Sequence, residues 1–150
     1  LSYALDTNLL LYASDASSAF HAPALAFVER SAAGPELVYL PWPVIMGYLR
    51  IATHPAIFER PLSPEAAEAN IEALLTRPHV RTLGEVDGFW AAYRRTTDGV
   101  VTRGNLVPDA HLVALLIQHG VTTLWTHDRD FRKFEGIRVR DPFAEPLGSS

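Results

Sequence analysis

Short apolar runs alternate with longer stretches of helical periodicity, and that alternation predicts the elements. Tyr3 to Leu5 predicts a buried strand. Asp6-Thr7-Asn8 then offers short oxygen side chains to cap a brief apolar helix through Leu9, Leu10, Leu11 and Tyr12. Asp15 to Ser18 is a polar loop. His21 to Ala33 predicts a helix with Leu25, Phe27 and Val28 inward, stopped at Gly34-Pro35. Leu37 to Leu40 predicts the second strand. Val44 to Ala52 follows as a helix apolar on most sides, with Pro43 in its first turn. Ser63-Pro64-Glu65 opens the next helix, a cap followed by a proline and an acid, and it runs to about Leu75.

The second half repeats the alternation. Val80 to Leu83 predicts a third strand, and Phe89 to Thr97 a helix. Gly99 to Asn105 is a weakly patterned connection. A helix from Val107 to about His119, a turn at Gly120 and a strand from Thr122 to Thr126 come next. Phe131 and Phe134 punctuate a loop or short helix, Ile137 to Val139 predicts an edge strand, and the tail after Pro142 reads as irregular. Strands alternating with helices imply parallel pairing with helices on both faces of the sheet. No repeat, linker or low-complexity tract divides the chain, so one domain over residues 1–150 is expected.

The elements place four aspartates. Asp6 and Asp128 each follow an apolar strand directly, and Asp130 lies two residues further on. Asp109 sits in the first turn of the Val107 helix. In a parallel sheet, ligands gather beyond the carboxyl ends of the strands. Carboxylates meeting there repel unless a cation neutralises them, and Mg²⁺ suits an oxygen-only site. Each acid alone also has a local reading: Asp6 as a helix cap, Asp109 as a dipole partner, Asp128 and Asp130 as turn formers. Their joint placement favours a shared site.

Composition narrows the options. The chain has no cysteine, which removes disulfides and thiolate metal sites. A net charge of −4 argues against broad, unspecific nucleic-acid binding. Lys133 is the one lysine among 13 basic residues, and arginine forks match phosphate oxygens, although base composition alone can produce such an excess. With no apolar run of membrane-spanning length and no basic leader, a soluble cytoplasmic protein is expected. No His-Glu-x-x-His, Gly-x-Ser-x-Gly, dinucleotide or Walker-type motif is present. His111 falls off the face that carries Asp109, and His127 is expected to point away from Asp128.

Four segments resemble PIN-domain proteins, and VapC-type toxin ribonucleases in particular. They are Leu5 to Ala13, Leu49 to Pro55, Gly104 to Leu112, and Thr126 to Phe131, in the family's order. The resemblance implies a PIN-like three-layer α/β/α sandwich with a mainly parallel central sheet. It implies a Mg²⁺-dependent endoribonuclease, with Mn²⁺ as a substitute, that leaves a 5′-phosphate and a 3′-hydroxyl. It also implies a homodimer inhibited by a VapB-type antitoxin. Asp6 and Asp109 match the metal-ligand aspartates, Asp128 the late acid and Asp130 an auxiliary acid; Asn8 matches a polar position beside the first. The apolar residues of Leu9 to Tyr12 and Val44 to Ile51 are candidates for the antitoxin groove, or simply core.

Gly47 departs from the pattern, because many relatives carry a glutamate there. A catalytically weakened PIN domain that binds RNA or the antitoxin is therefore the alternative, and a small phosphohydrolase on a similar fold is a third option. On the leading reading, Asp6, Asp109 and Asp128 hold the metal and Asp130 completes the cluster. An acidic pocket repels RNA, so arginines must guide the strand, and Arg50, Arg103, Arg129 and Arg132 are the candidates.

Overall fold

The computed structural model describes residues 1–145. Its elements follow the chain as β1 (Ser2–Leu5), α1 (Thr7–Ser14), α2 (His21–Ala33), β2 (Leu37–Pro41), α3 (Trp42–Ala52), α4 (Pro64–Leu75), β3 (Val80–Leu83), α5 (Phe89–Thr96), α6 (Leu106–Gln118), β4 (Thr123–Trp125) and β5 (Arg138–Arg140). A short 3-10 helix, Arg129–Lys133, lies between the last two strands. The expected elements are present, with ends that agree to within three residues. The end of the tail, residues 146–150, lies outside the described residues.

Local chemistry explains the boundaries. Asp6 caps α1, its Oδ1 accepting from the Thr7 N–H at 2.7 Å. Ser63 caps α4 through Oγ, which accepts from the Ala66 N–H at 3.1 Å. Helix α2 stops at Gly34, whose φ of 85° is open to glycine and disfavoured for other residues.

The five strands lie in the order β3-β2-β1-β4-β5, and all four neighbouring pairs are parallel. From β1 the chain builds outward to β2 and β3. It then returns to the other side of β1 for β4 and β5. The order therefore reverses between β1 and β4, and the carboxyl ends of those two strands flank the crevice where such sheets bind ligands. Leu5 pairs with Trp125 at that edge, and the Asp6 N–H donates to the Trp125 carbonyl at 3.0 Å.

Helices cover the sheet as the alternation requires. Helices α1 to α4 pack on one another in sequence-near pairs, and α5 packs on α6. Ala110, Leu112, Val113, Ala114, Leu115 and Leu116 of α6 are all buried, which accounts for its apolar run. The core joins Leu5, Leu9, Val38, Leu40, Val44, Val113, Leu116, Leu124 and Phe131. Among the described residues, no helix is long and apolar enough to cross a membrane.

Candidate metal centre

Beyond β1 and β4, four carboxylates gather. A short connection joins α6 to β4, so α6 runs back along the sheet and its first turn lies at the strands' carboxyl edge. That turn carries Asp109. Asp128 follows β4 and caps the 3-10 helix, its Oδ1 accepting from the Asp130 N–H at 2.9 Å. One carboxylate oxygen from each of Asp109, Asp128 and Asp130 lies within 4.8 Å of the others. This is the group of three or more acids or histidines with that spacing among the described residues.

Asp6 adjoins this trio but is engaged differently. Its Oδ1 serves the helix cap, and its Oδ2 accepts from Thr126 Oγ1 at 2.8 Å. Thr126 is 1% exposed and ties the site together. Its single hydroxyl proton goes to Asp6, while the oxygen accepts from the Asp128 N–H at 3.0 Å and from Asn8 Nδ2 at 3.2 Å. That proton assignment fixes the Asn8 amide with nitrogen toward Thr126. Asn8 Oδ1 is left buried without a hydrogen-bond donor among the described residues. Sequence reasoning missed Thr126. The only available signal was a threonine between an apolar strand and the acidic loop.

The electrostatics match the geometry. Burial, ahead of the charge of Asp128, raises Asp6 to about 6, while its Thr126 and Thr7 hydrogen bonds pull the other way. Burial also raises Asp109 to about 7, helped by Asp128, Asp6 and Asp130 and opposed by Lys133. Lys133 pairs with Asp130 at 3.4 Å, one turn along. Carboxyls held this high bear negative charge at a cost, which a cation would remove. An oxygen-only donor set with an orphaned carbonyl acceptor beside it fits a hard divalent ion.

These shifts set a direction for stability. Unfolded, both aspartates titrate near their ordinary value of 3.8. Folded, they hold their protons to about 6 and about 7. Between those limits the folded chain binds more protons than the unfolded one, so their contribution to stability falls as pH rises from about 4 to about 7. Thermal melts in EDTA across that range should fall more steeply for the wild type than for Asp109→Asn. Adding Mn²⁺ should flatten the difference. Parallel curves for the two proteins would refute the electrostatic account.

The other predicted residues are spread around this centre. A cleft of about 440 Å³ runs along α3 and is lined by Asp6, Thr7, Met46, Gly47, Arg50, Asp109 and Phe131 among others. Arg50 therefore lines the same cleft as two of the acids. Arg103 lies in the turn before α6, and Arg129 and Arg132 are exposed on the 3-10 helix. Leu9, Leu10, Val44, Ile45 and Tyr48 are buried core. Leu10 and Tyr48 also border an apolar cavity of about 300 Å³ between α1, α2 and α4. A side chain at Gly47 would begin 3.2 Å from Thr7 Oγ1, so glycine there allows α3 to approach α1, where Thr7 Oγ1 donates to the Val44 carbonyl.

Both histidines near the acids are committed elsewhere. His111 pairs with Glu85, lowering the Glu85 pKa, and its ring meets Phe89 edge-on at 5.3 Å. His127 turns away from the cluster and bonds Asp141 at 2.8 Å. Phe20 and Phe143 stack on each other at 4.7 Å, and both rings meet the His127 ring, at 4.6 and 4.9 Å. This packing fixes the peptide between Thr126 and Asp128.

Strand order, switch-point crevice and acid cluster together define an α/β/α protein of the PIN type. The chain belongs to the PIN domain family, whose sequence pattern matches residues 3–137. It is 58% identical over 144 residues to Ribonuclease VapC48 of Mycobacterium tuberculosis (strain ATCC 25618 / H37Rv), covering 96% of this chain and 99% of that one. The fold is similar to that in the VapBC2 structure from Rickettsia felis bound to a promoter DNA fragment (TM-score 0.66, 15% identity, 94% of this chain and 98% of that one). It is also similar to Mycobacterium tuberculosis VapC20, a Sarcin-Ricin loop cleaving toxin (TM-score 0.64, 17% identity, 91% and 98% covered).

Proposed function

We propose that this chain is a VapC-type ribonuclease toxin that hydrolyses RNA phosphodiesters with a divalent cation. The observation that carries the reading is the meeting of the Asp109, Asp128 and Asp130 carboxylates beyond β4, next to Asp6. Asp109 and Asp128 would hold Mg²⁺, or Mn²⁺ in its place, with Asp6 contributing directly or through water. When bound, such an ion lowers the pKa of a coordinated water and offsets charge on the phosphate oxygens. Thr126 keeps Asp6 and the Asp128 backbone in place. Asp130 is restrained by Lys133 and completes the cluster. Arg50 supplies positive charge in the cleft, and the exposed Arg103, Arg129 and Arg132 are the further candidates to guide the strand. Asn8 acts as a support for Thr126 that shapes the substrate side of the site.

The same reading makes the chain a single-domain, cytoplasmic homodimer controlled by a VapB-type antitoxin. The 58% identity to a VapC ribonuclease and the likeness to VapBC folds support that partner class. The alternative is a weakened PIN domain that binds without cutting. Favouring the first reading is that the Asp109, Asp128 and Asp130 group draws on no residue of α3.

Metal removal tests the proposal. Incubation with total cellular RNA and Mg²⁺ should yield discrete fragments, EDTA should stop their formation, and Mn²⁺ should restore it. Persistent cleavage by carefully EDTA-stripped protein would rule out the metal reading. Binding of RNA with no cleavage in either metal would favour the weakened domain.

A further inference from the structure

Strand β5 ends at Arg140 and runs parallel to β4, so Asp141 follows it at the same sheet edge as the acids. Its carboxylate faces a histidine instead of joining them. Oδ2 accepts from His127 Nδ1 at 2.8 Å, and Oδ1 accepts from the Phe143 N–H at 2.9 Å. The Asp141 side chain is 15% exposed, so little water competes for these bonds. A carboxylate offers only lone pairs, so the imidazole carries a hydrogen on Nδ1.

His127 is the residue before Asp128, one of the acid trio. Three aromatic rings enclose its imidazole: Phe20 at 4.6 Å, Phe143 at 4.9 Å and Tyr12 at 6.2 Å. The backbone is tied in parallel, since the Thr126 N–H donates to the Arg140 carbonyl at 2.8 Å. Residues 126 and 127 are thus bonded in turn to residues 140 and 141. The peptide unit between His127 and Asp128 is planar, and its N–H donates to Thr126 Oγ1 at 3.0 Å. A held imidazole on one side and that bond on the other leave the start of Asp128 little freedom. Asp130 follows, because its N–H donates to Asp128 Oδ1.

We propose that Asp141 is a positioning residue of the metal centre. It acts through the His127 imidazole to hold Asp128, and Asp130 with it, at the spacing a divalent ion needs. Groups that orient metal ligands from outside the coordination sphere typically carry 10- to 100-fold in metal affinity or activity. This role rests on the metal-dependent reading above. It adds a residue beyond 3–137, the stretch that the family pattern covers.

Mn²⁺ titration of Asp141→Ala should show roughly 10-fold or more weaker binding than the wild type. At saturating Mn²⁺, kcat for RNA cleavage should fall while KM for RNA stays the same. Glu145→Ala is the control: it breaks the Arg140–Glu145 pair in the same segment without touching His127, and should leave Mn²⁺ affinity unchanged. His127→Phe keeps a ring in the enclosure but donates nothing, and should weaken Mn²⁺ binding as Asp141→Ala does. Combining the two should cost no more than either alone, because both remove the same bond. In the metal-free wild type, nitrogen-15 NMR should place the His127 hydrogen on Nδ1. That measurement and His127→Phe decide the matter should Asp141→Ala not fold. Wild-type Mn²⁺ affinity in Asp141→Ala or His127→Phe would overturn the role, and so would a His127 hydrogen on Nε2 alone. An equal loss in Glu145→Ala would overturn it too, marking a general loosening of the segment. If the wild-type chain binds no Mn²⁺, the metal reading fails and takes this role with it. If it binds Mn²⁺ and cuts, and the variants do likewise, only the positioning role fails.

Discussion

Asp109→Asn is expected to lower RNA cleavage by about 1000-fold or more and, at the same time, to raise the melting temperature of the metal-free protein. The first effect follows from position. Asp109 is a member of the three-carboxylate cluster, and its replacement removes a charged ligand from where the cation is proposed to sit. A 1000-fold loss corresponds to roughly 4 kcal/mol of transition-state stabilisation, within what a metal contributes. The second effect follows from electrostatics. Burial raises Asp109 to about 7, and Asp128, Asp6 and Asp130 add to the rise. An asparagine of nearly the same shape has no charge to repel. After discounting for partial exposure, the relief is about 1–2 kcal/mol near neutral pH, or about 3–6 °C. Cleavage kinetics in Mg²⁺ and melts in EDTA check the two halves. A variant that cuts normally, or melts lower without metal, contradicts this account of the site.

Thr126→Val should be costly in both stability and cleavage although no charge changes. Valine retains the shape of threonine, but the hydroxyl joins Asp6, Asn8 and the Asp128 backbone. At 1% exposure, water does not readily replace it. An unsatisfied buried polar group costs about 1–3 kcal/mol, and some of the three find new partners, so a net loss of about 3–5 kcal/mol is expected in urea unfolding. Cleavage should fall as well, since Asp6 and the Asp128 loop lose their common tie. Thr126→Ser keeps the hydroxyl and should stay near wild type. A Thr126→Val protein near wild type beside a damaged Thr126→Ser would mean that the methyl group, not the hydroxyl, matters.

Much of the fold was legible because the central strands β1 and β4 are short apolar runs with polar residues after them, and α1 and α4 open on the side-chain caps Asp6 and Ser63. Asp6 and Asp128 stood out for the same reason: a parallel sheet brings the residues after its central strands to one edge. The local reading of Asp6 as a cap describes one of its oxygens, which serves Thr7, while the other accepts from Thr126 beside the acid trio.

What stayed hidden depends on contacts between distant residues. Thr126 is an ordinary strand-end residue until it is set beside Asp6, 120 positions away. Gly47 reads as a weak point in a helix, and its role as a point of close approach to Thr7 requires the packing of α3 on α1. The aromatic enclosure of His127 joins Phe20 to Phe143, which no local pattern reveals. Boundary differences were small, as at β4, where pairing covers Thr123 to Trp125 and the flanking threonines bond to the β5 side singly.

The reversal of strand order between β1 and β4 has a consequence for the timing of synthesis. Asp6 emerges from the ribosome well before its neighbours in the cluster, which lie beyond position 108. On the proposed reading, a nascent chain that holds only β1, β2 and β3 lacks the acid cluster until β4 slots in beside β1. Chains cut short by stalled translation thus carry most of the scaffold and none of the assembled active centre.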